Sequence, residues 1–127
     1  MPRPTIAIIG ASRERSKFGN KAVRAYASRN YQVYPVHPTA ETVEGLPAYR
    51  SILDVPADSL DRISVYLPSQ VGLKVLDEIA RKPAREIWLN PGADDATVVA
   101  RARALGLNVI LGCSIVDVGV NPHALPG

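Results

Sequence analysis

At 127 residues, 46% apolar and 21% charged, the chain has the composition of one globular domain with a real core, and a disordered chain is excluded. The net charge of +3 rests on Lys and Arg that are scattered except between Arg13 and Lys17, which argues for a small anion at that cluster and against nucleic acid as a partner. No apolar run approaches the ~20 residues of a membrane helix, Met-Pro-Arg-Pro does not read as a cleavable signal, and the single cysteine, Cys113, forbids an intrachain disulfide and suits a reducing cytoplasm.

Taken in order, Ile6, Ala7, Ile8 and Ile9 form an uninterrupted apolar run, long enough for one buried parallel strand. Gly10-Ala11-Ser12 breaks it with small residues. A helical period then begins near Ser16, with Phe18, Ala22, Val23 and Tyr26 on one face and Lys21, Arg24, Ser28 and Arg29 on the other. Strand, small-residue turn and helix in that order make a phosphate cradle. The turn lets backbone approach an anion, and the helix start offers unpaired N–H groups and a partial positive charge. With Arg13, Arg15 and Lys17 adding formal charge, this loop is expected to bind a phosphorylated ligand.

Tyr31–Val36 reads as a second strand, with Pro35 acceptable near its end but not in its middle, and His37-Pro38 stops it. Thr39–Gly45 is polar and turn-like, Pro47-Ala48-Tyr49 a short extended piece, and Ser51–Val55 a brief helical turn. Arg62–Leu67 is a third strand, stopped by Pro68. Ser69 then offers an N-cap hydroxyl to a helix with Val71, Val75, Leu76, Ile79 and Ala80 on one face, ended by Lys82-Pro83. Glu86–Leu89 is the fourth strand, closed by Asn90-Pro91-Gly92. Asp94 or Asp95 caps the next helix, with Val98, Val99, Ala102 and Leu105 inward and Gly106 as its stop. Asn108–Leu111 is the fifth strand, followed by Gly112-Cys113-Ser114, and from Ile115 onward no period is visible.

Apolar strands alternating with amphipathic helices imply an α/β fold: a three-layer, doubly wound, Rossmann-like domain over a mainly parallel five-stranded sheet, with expected strand order 3-2-1-4-5. One such domain spans the whole chain, and ligands are expected outside the carboxyl ends of its strands. A nicotinamide dinucleotide is disfavoured. Of G-x-G-x-x-G only the first glycine, Gly10, is present, with Ser12 and Arg15 at the other two positions, and the second strand ends Val36-His37-Pro38 without the usual acid. The P-loop pattern is absent too. Ser12 lacks the G-x-S-x-G context of a nucleophile. Capping accounts for Asp94-Asp95, Trp88 and Tyr66 are expected in the core, and Cys113 is expected to be a small buried residue. His37 stands open between a rim residue and a structural one.

The segments I-I-G-A-S-R-E-R-S-K-F-G (8–19), V-Y-P-V-H-P (33–38), E-G-L-P-A-Y (44–49), V-Y-L-P-S (65–69), W-L-N-P-G (88–92) and G-C-S-I-V (112–116) together resemble the coenzyme A-binding domain of the succinyl-CoA ligase α-subunit type, and especially its small stand-alone relatives. The resemblance implies CoA, or an acyl-CoA, held across the strand ends. Gly10, Ala11 and Ser12 would meet the pyrophosphate, with Gly19 also in the site and Lys17 and Arg13 adding charge. Pro35, Val36, His37 and Pro38, with Leu67 and Pro68, would lie on or beside the adenosine. Asn90, Pro91 and Gly92 would line the rim towards the pantetheine arm. Ligase members add a phosphohistidine domain and an ATP-grasp partner. With only His37 and His123 in this chain, no catalysis of its own is expected, and a homodimer or a partner enzyme subunit is compatible with the resemblance. The rival readings are an NAD(P)- or nucleotide-dependent enzyme and a regulatory ligase subunit.

Overall fold

The computed structural model of the chain describes residues 3–127. In chain order the elements are β1 (Thr5–Ile9), α1 (Phe18–Ser28), β2 (Gln32–Val36), the short strands β3 (Thr42–Val43) and β4 (Leu46–Pro47), β5 (Leu60–Val65), α2 (Ser69–Ala80), β6 (Ala84–Leu89), α3 (Ala96–Ala104), β7 (Val109–Leu111) and α4 (Ser114–Asp117), with 3-10 turns at Ile52–Asp54 and Pro122–Ala124. The expected Rossmann-like architecture is present. β2-β1-β5-β6-β7 form a five-stranded sheet in which every pairing is parallel.

The strand order differs from the expectation. Counted along the chain, the five sheet strands lie 2-1-3-4-5, so β2 is an edge and β5 sits in the centre. Pro35 explains the choice. The Pro35 carbonyl accepts from Tyr49 N at 2.9 Å on the side away from β1. N–H and C=O of one strand residue point the same way, so the N–H that proline lacks would also have faced that outer edge. An interior β2 would have left a gap in a ladder. β5, by contrast, buries Ile63, Ser64 and Val65 almost completely, as a central strand must.

The polar stretch after β2 is more ordered than its composition suggests. β3 and β4 pair antiparallel around Glu44-Gly45, both at positive φ (49° and 77°), the backbone of a type I′ hairpin turn.

Alternation along β1 divides the core. Ala7 and Ile9 face α2, α3 and the Ile52 turn, joining Ile63, Val65, Leu76, Ile79, Ile87, Leu89 and Val98. Ile6 and Ile8 face α1 and Ile115 at the start of α4, joining Val23 and Tyr26. The second face is thus well covered over β1 and β2 by α1. Over β5 and β6 it carries polar side chains, Arg62, Ser64 and Glu86, and the tail from Ser114 supplies the cover.

Several helix details differ from the periodic reading. Phe18 is 44% exposed because it opens the first turn at the rim. On α2 the inward residues are Gly72, Leu76 and Ile79, while Val71 and Ala80 face out. The α2 N-cap is Pro68, not Ser69, so no side chain caps it. Tyr66 lies past the end of β5 and is only partly buried, whereas Trp88 is in the core as expected. No helix of the described residues is long and apolar enough to cross a membrane.

Candidate functional site

The loop after β1 is built by two glycines acting on each other. Gly10 adopts φ +89°, and a Cβ there would stand 2.5 Å from the Tyr66 carbonyl oxygen. A Cβ on Gly19 would stand 2.0 Å from the Gly10 carbonyl oxygen. Strand end and helix start therefore meet backbone to backbone, and Gly19 performs the close-approach role of the last glycine in a dinucleotide loop from a different position. The loop is braced from within. Asn20 Nδ2 donates to the Ser12 carbonyl (2.9 Å) and to Glu44 Oε2 (3.0 Å), Ser12 Oγ accepts from Glu14 N (3.0 Å), and Arg24 donates to the Arg15 carbonyl (2.7 Å).

Two helices point bare N-termini at one place. α1 starts after Lys17 and α2 after Pro68; neither has a side-chain cap or an acid in its first turn. Both border a hollow of about 280 Å³ lined by Gly10, Lys17, Gly19, Leu67, Pro68 and Gly92, with Pro91 behind. α3 provides the contrast, because Asp95 caps it by accepting from Thr97 N at 2.9 Å. Uncapped starts leave N–H groups and the positive dipole end available to an anion. Lys17 lines the same hollow, and its largely exposed Nζ stands 3.7 Å from Glu14 Oε2.

The remaining sequence-derived residues separate into three situations. Arg13 and His37 line a neighbouring hollow of about 570 Å³. Glu41 also lines it, so an acid does reach this end of the sheet, four residues beyond His37. His37 Nδ1 accepts from Thr39 N (3.0 Å) and Ala40 N (2.8 Å), bracing its own loop, and Pro38 is exposed beside it. Ala11, Pro35 and Val36 are buried, leaving at most their backbone to a ligand. Asn90 is also buried with its amide fully used. Nδ2 donates to Ser64 Oγ (2.8 Å) and the Val65 carbonyl (2.9 Å), and Oδ1 accepts from Ser114 N (2.8 Å).

That amide belongs to a polar network that the sequence did not disclose. Ser64 Oγ and Ser114 Oγ are 2.7 Å apart, Tyr66 Oη lies 3.1 Å from Ser114 Oγ, and Tyr26 Oη donates to the Ser114 carbonyl at 2.9 Å. Arg62 donates to Tyr26 Oη (3.1 Å) and bridges Asp117 (2.8 Å) and Glu86 (3.1 Å). Burial pushes the Tyr66 phenol up to about 12. Burial alone would lower Arg62, but its bonds to Tyr26 and Asp117 outweigh this and hold it above its ordinary value. The network ties the tail to the sheet.

Where the tail crosses, it walls a hollow of about 580 Å³, with Phe18, Tyr66, Cys113, Val116, Val120 and His123 on its sides. Cys113 is thus half-buried at a cavity wall and not a sealed core residue. The only sequence sign of this hollow was the strand-end position of Gly112-Cys113-Ser114, since the tail has no period to read.

The "CoA binding domain" family pattern matches residues 4–123. Over 78 residues the chain is 35% identical to an ADP-forming acetate–CoA ligase of Methanocaldococcus jannaschii, a match covering 61% of this chain but only 11% of that protein's length. Among solved structures, a conserved hypothetical protein from Pyrococcus furiosus superposes with a TM-score of 0.79 at 28% identity, covering 91% of this chain and 99% of the other. A dinucleotide-forming acetyl-coenzyme A synthetase 1 from Ca. Korarchaeum cryptofilum superposes with a TM-score of 0.70 at 29% identity, covering 84% of this chain and 25% of the other. With nearly its full length matched in pattern, the chain belongs to the CoA binding domain family.

Proposed function

We propose that this chain binds coenzyme A or an acyl-CoA at the carboxyl rim of the sheet and performs no chemistry on it alone. The observation that carries the reading is the convergence of two uncapped helix N-termini, α1 and α2, on one hollow closed by Gly10 and Gly19. The pyrophosphate lies there, over Gly10, Ala11 and Ser12 with Lys17 alongside. The adenosine and its 3′-phosphate lie towards Arg13, His37 and Pro38 on the β2 side of the loop, and Leu67 and Pro68 wall the phosphate hollow on the β5 side. The pantetheine arm runs past Asn90, Pro91 and Gly92 towards the hollow walled by the tail.

The non-catalytic part of the reading has its own support. Ser12 Oγ is occupied by Glu14 N, and His37 Nδ1 accepts two backbone N–H groups, so neither is arranged as a nucleophile or base. The ligase relatives are far longer than the matched region, and the reaction in their names is assigned here to the parts that this chain does not match.

Lys17→Ala tests the phosphate assignment. A charge-assisted contact to a phosphate from an exposed lysine predicts a roughly three- to tenfold loss of CoA affinity. Pantetheine, which has no phosphate, should be affected far less when both are measured by calorimetry. Equal losses for the two ligands would remove Lys17 from the phosphate site.

A further inference from the structure

The hollow walled by the tail has no place in a reading that stops at the phosphates. It holds about 580 Å³, roughly twice the phosphate hollow, and falls in the range of small-molecule sites. The two hollows are continuous in their walls, since Phe18, Tyr66 and Pro91 line both. A ligand with its phosphates at Gly10 and Lys17 that extends past Pro91 therefore enters it.

Its chemistry differs from that of its neighbours. No Lys, Arg, Asp or Glu lines it. Of the polar side chains that line it, Asn90 is satisfied by Ser64, Val65 and Ser114 and Tyr66 by Ser114, while Asn121 and His123 are exposed to water. Among the described residues no buried side-chain nitrogen or oxygen lacks a partner. A phosphate or a carboxylate placed there would lose water and find no Lys or Arg to meet it. An apolar group gains, because Phe18, Val116, Val120 and Pro122 offer it carbon surface. Phe18 and Val116 are 44% and 58% exposed, an unusual state for large apolar side chains facing the same cavity.

We infer that this hollow is an acyl subsite, and that the ligand favoured by the chain is an acyl-CoA with an uncharged aliphatic acyl group rather than free CoA. The inference rests on the CoA reading above and names the ligand of that same site. The thioester end of the pantetheine arm passes Pro91 and Tyr66, and the acyl chain lies between Phe18 and Val116.

Calorimetry with CoA, acetyl-CoA, butyryl-CoA and hexanoyl-CoA tests it. A fully buried methylene would give up to about fourfold in affinity. In this partly open hollow, hexanoyl-CoA is expected to bind about ten- to 100-fold tighter than CoA. In Val116→Asp, a substitution at an exposed position that places a charge in the wall, the ratio of hexanoyl-CoA to CoA affinity should fall towards one. Circular dichroism checks that the variant is folded. Equal affinities for all four ligands would overturn the acyl subsite while leaving CoA binding intact. A steep chain-length dependence that survives in folded Val116→Asp would overturn its location. Failure of every ligand to bind would overturn the CoA reading itself.

Discussion

Gly19→Ala is expected to abolish ligand binding, with an affinity loss of about 100-fold or more, and to cost about 1–3 kcal/mol of stability. The added methyl would stand 2.0 Å from the Gly10 carbonyl oxygen, an impossible contact with backbone on one side and helix on the other. Either α1 withdraws from the loop or Gly10 turns its peptide. Both responses dissolve the place where strand end and helix start present N–H groups together, and two charge-assisted bonds lost there account for the factor. Gly72→Ala is the matched control, because its nearest neighbour would be Val98 Cγ2 at 3.8 Å, an ordinary contact. In the interior of α2 that change should stabilise the protein by up to about 1 kcal/mol and leave CoA affinity alone. If Gly19→Ala binds CoA as well as the parent does by calorimetry, the phosphates are not held where α1 meets Gly10.

Asn90→Ala is expected to be the most destabilising single change at the rim, at about 3 kcal/mol or more. Its amide makes three bonds in the interior, joining β5 to the end of β6 and both to the first residue of α4. Truncation leaves the buried Ser114 N without its acceptor, at about 1–3 kcal/mol, and removes two further bonds worth about 1 kcal/mol each from Ser64 Oγ and the Val65 carbonyl, which keep Ser114 Oγ and Asn90 N as partners. Urea unfolding reads the loss directly. Faster amide exchange at Ser114–Val118 than in the rest of the chain would show that the tail is released first. A midpoint change worth less than about 1 kcal/mol would mean that the network is not what holds the tail to the sheet.

How much of this was legible in the sequence can be seen residue by residue. Strands whose apolar runs were unbroken, such as Ile6–Ile9, were placed within a residue or two, because burial on both faces leaves only one reading. The turn from β1 into α1 was legible for a similar reason, since small residues between an apolar run and a helical period mark a connection. Strand order was not read correctly, although Pro35 contained the answer. A residue without an N–H belongs at an edge, and the edge places β2 outside β1. Gly19 was noticed as a position but not as a necessity, because only the closeness of Gly10 in space makes it one. Ser69 looked like a cap by type, but Pro68 ended the extended backbone one residue earlier, so the helix starts without a side-chain acceptor.

What stayed hidden is long-range and polar. Asn90, Ser64 and Ser114 lie 24 to 50 residues apart and meet only because parallel strands bring their carboxyl ends together. No spacing rule announces such a cluster. The tail was unreadable for a further reason. It forms one turn of α4 and one 3-10 turn, both too short for a period, and it is held by Tyr26, Arg29 and Arg62 from elsewhere in the chain. The hollow it walls was therefore missed, while the hollow between α1 and α2 is lined by residues of readable motifs.

The central claim is that the rim selects CoA among adenosine-containing ligands. Parallel calorimetric titrations of the purified chain with CoA, NADH and NADPH test it most directly. The account predicts saturable one-to-one binding of CoA, with both nicotinamide dinucleotides weaker by tenfold or more. Absence of CoA binding at millimolar concentration, or a preference for either dinucleotide, would contradict it.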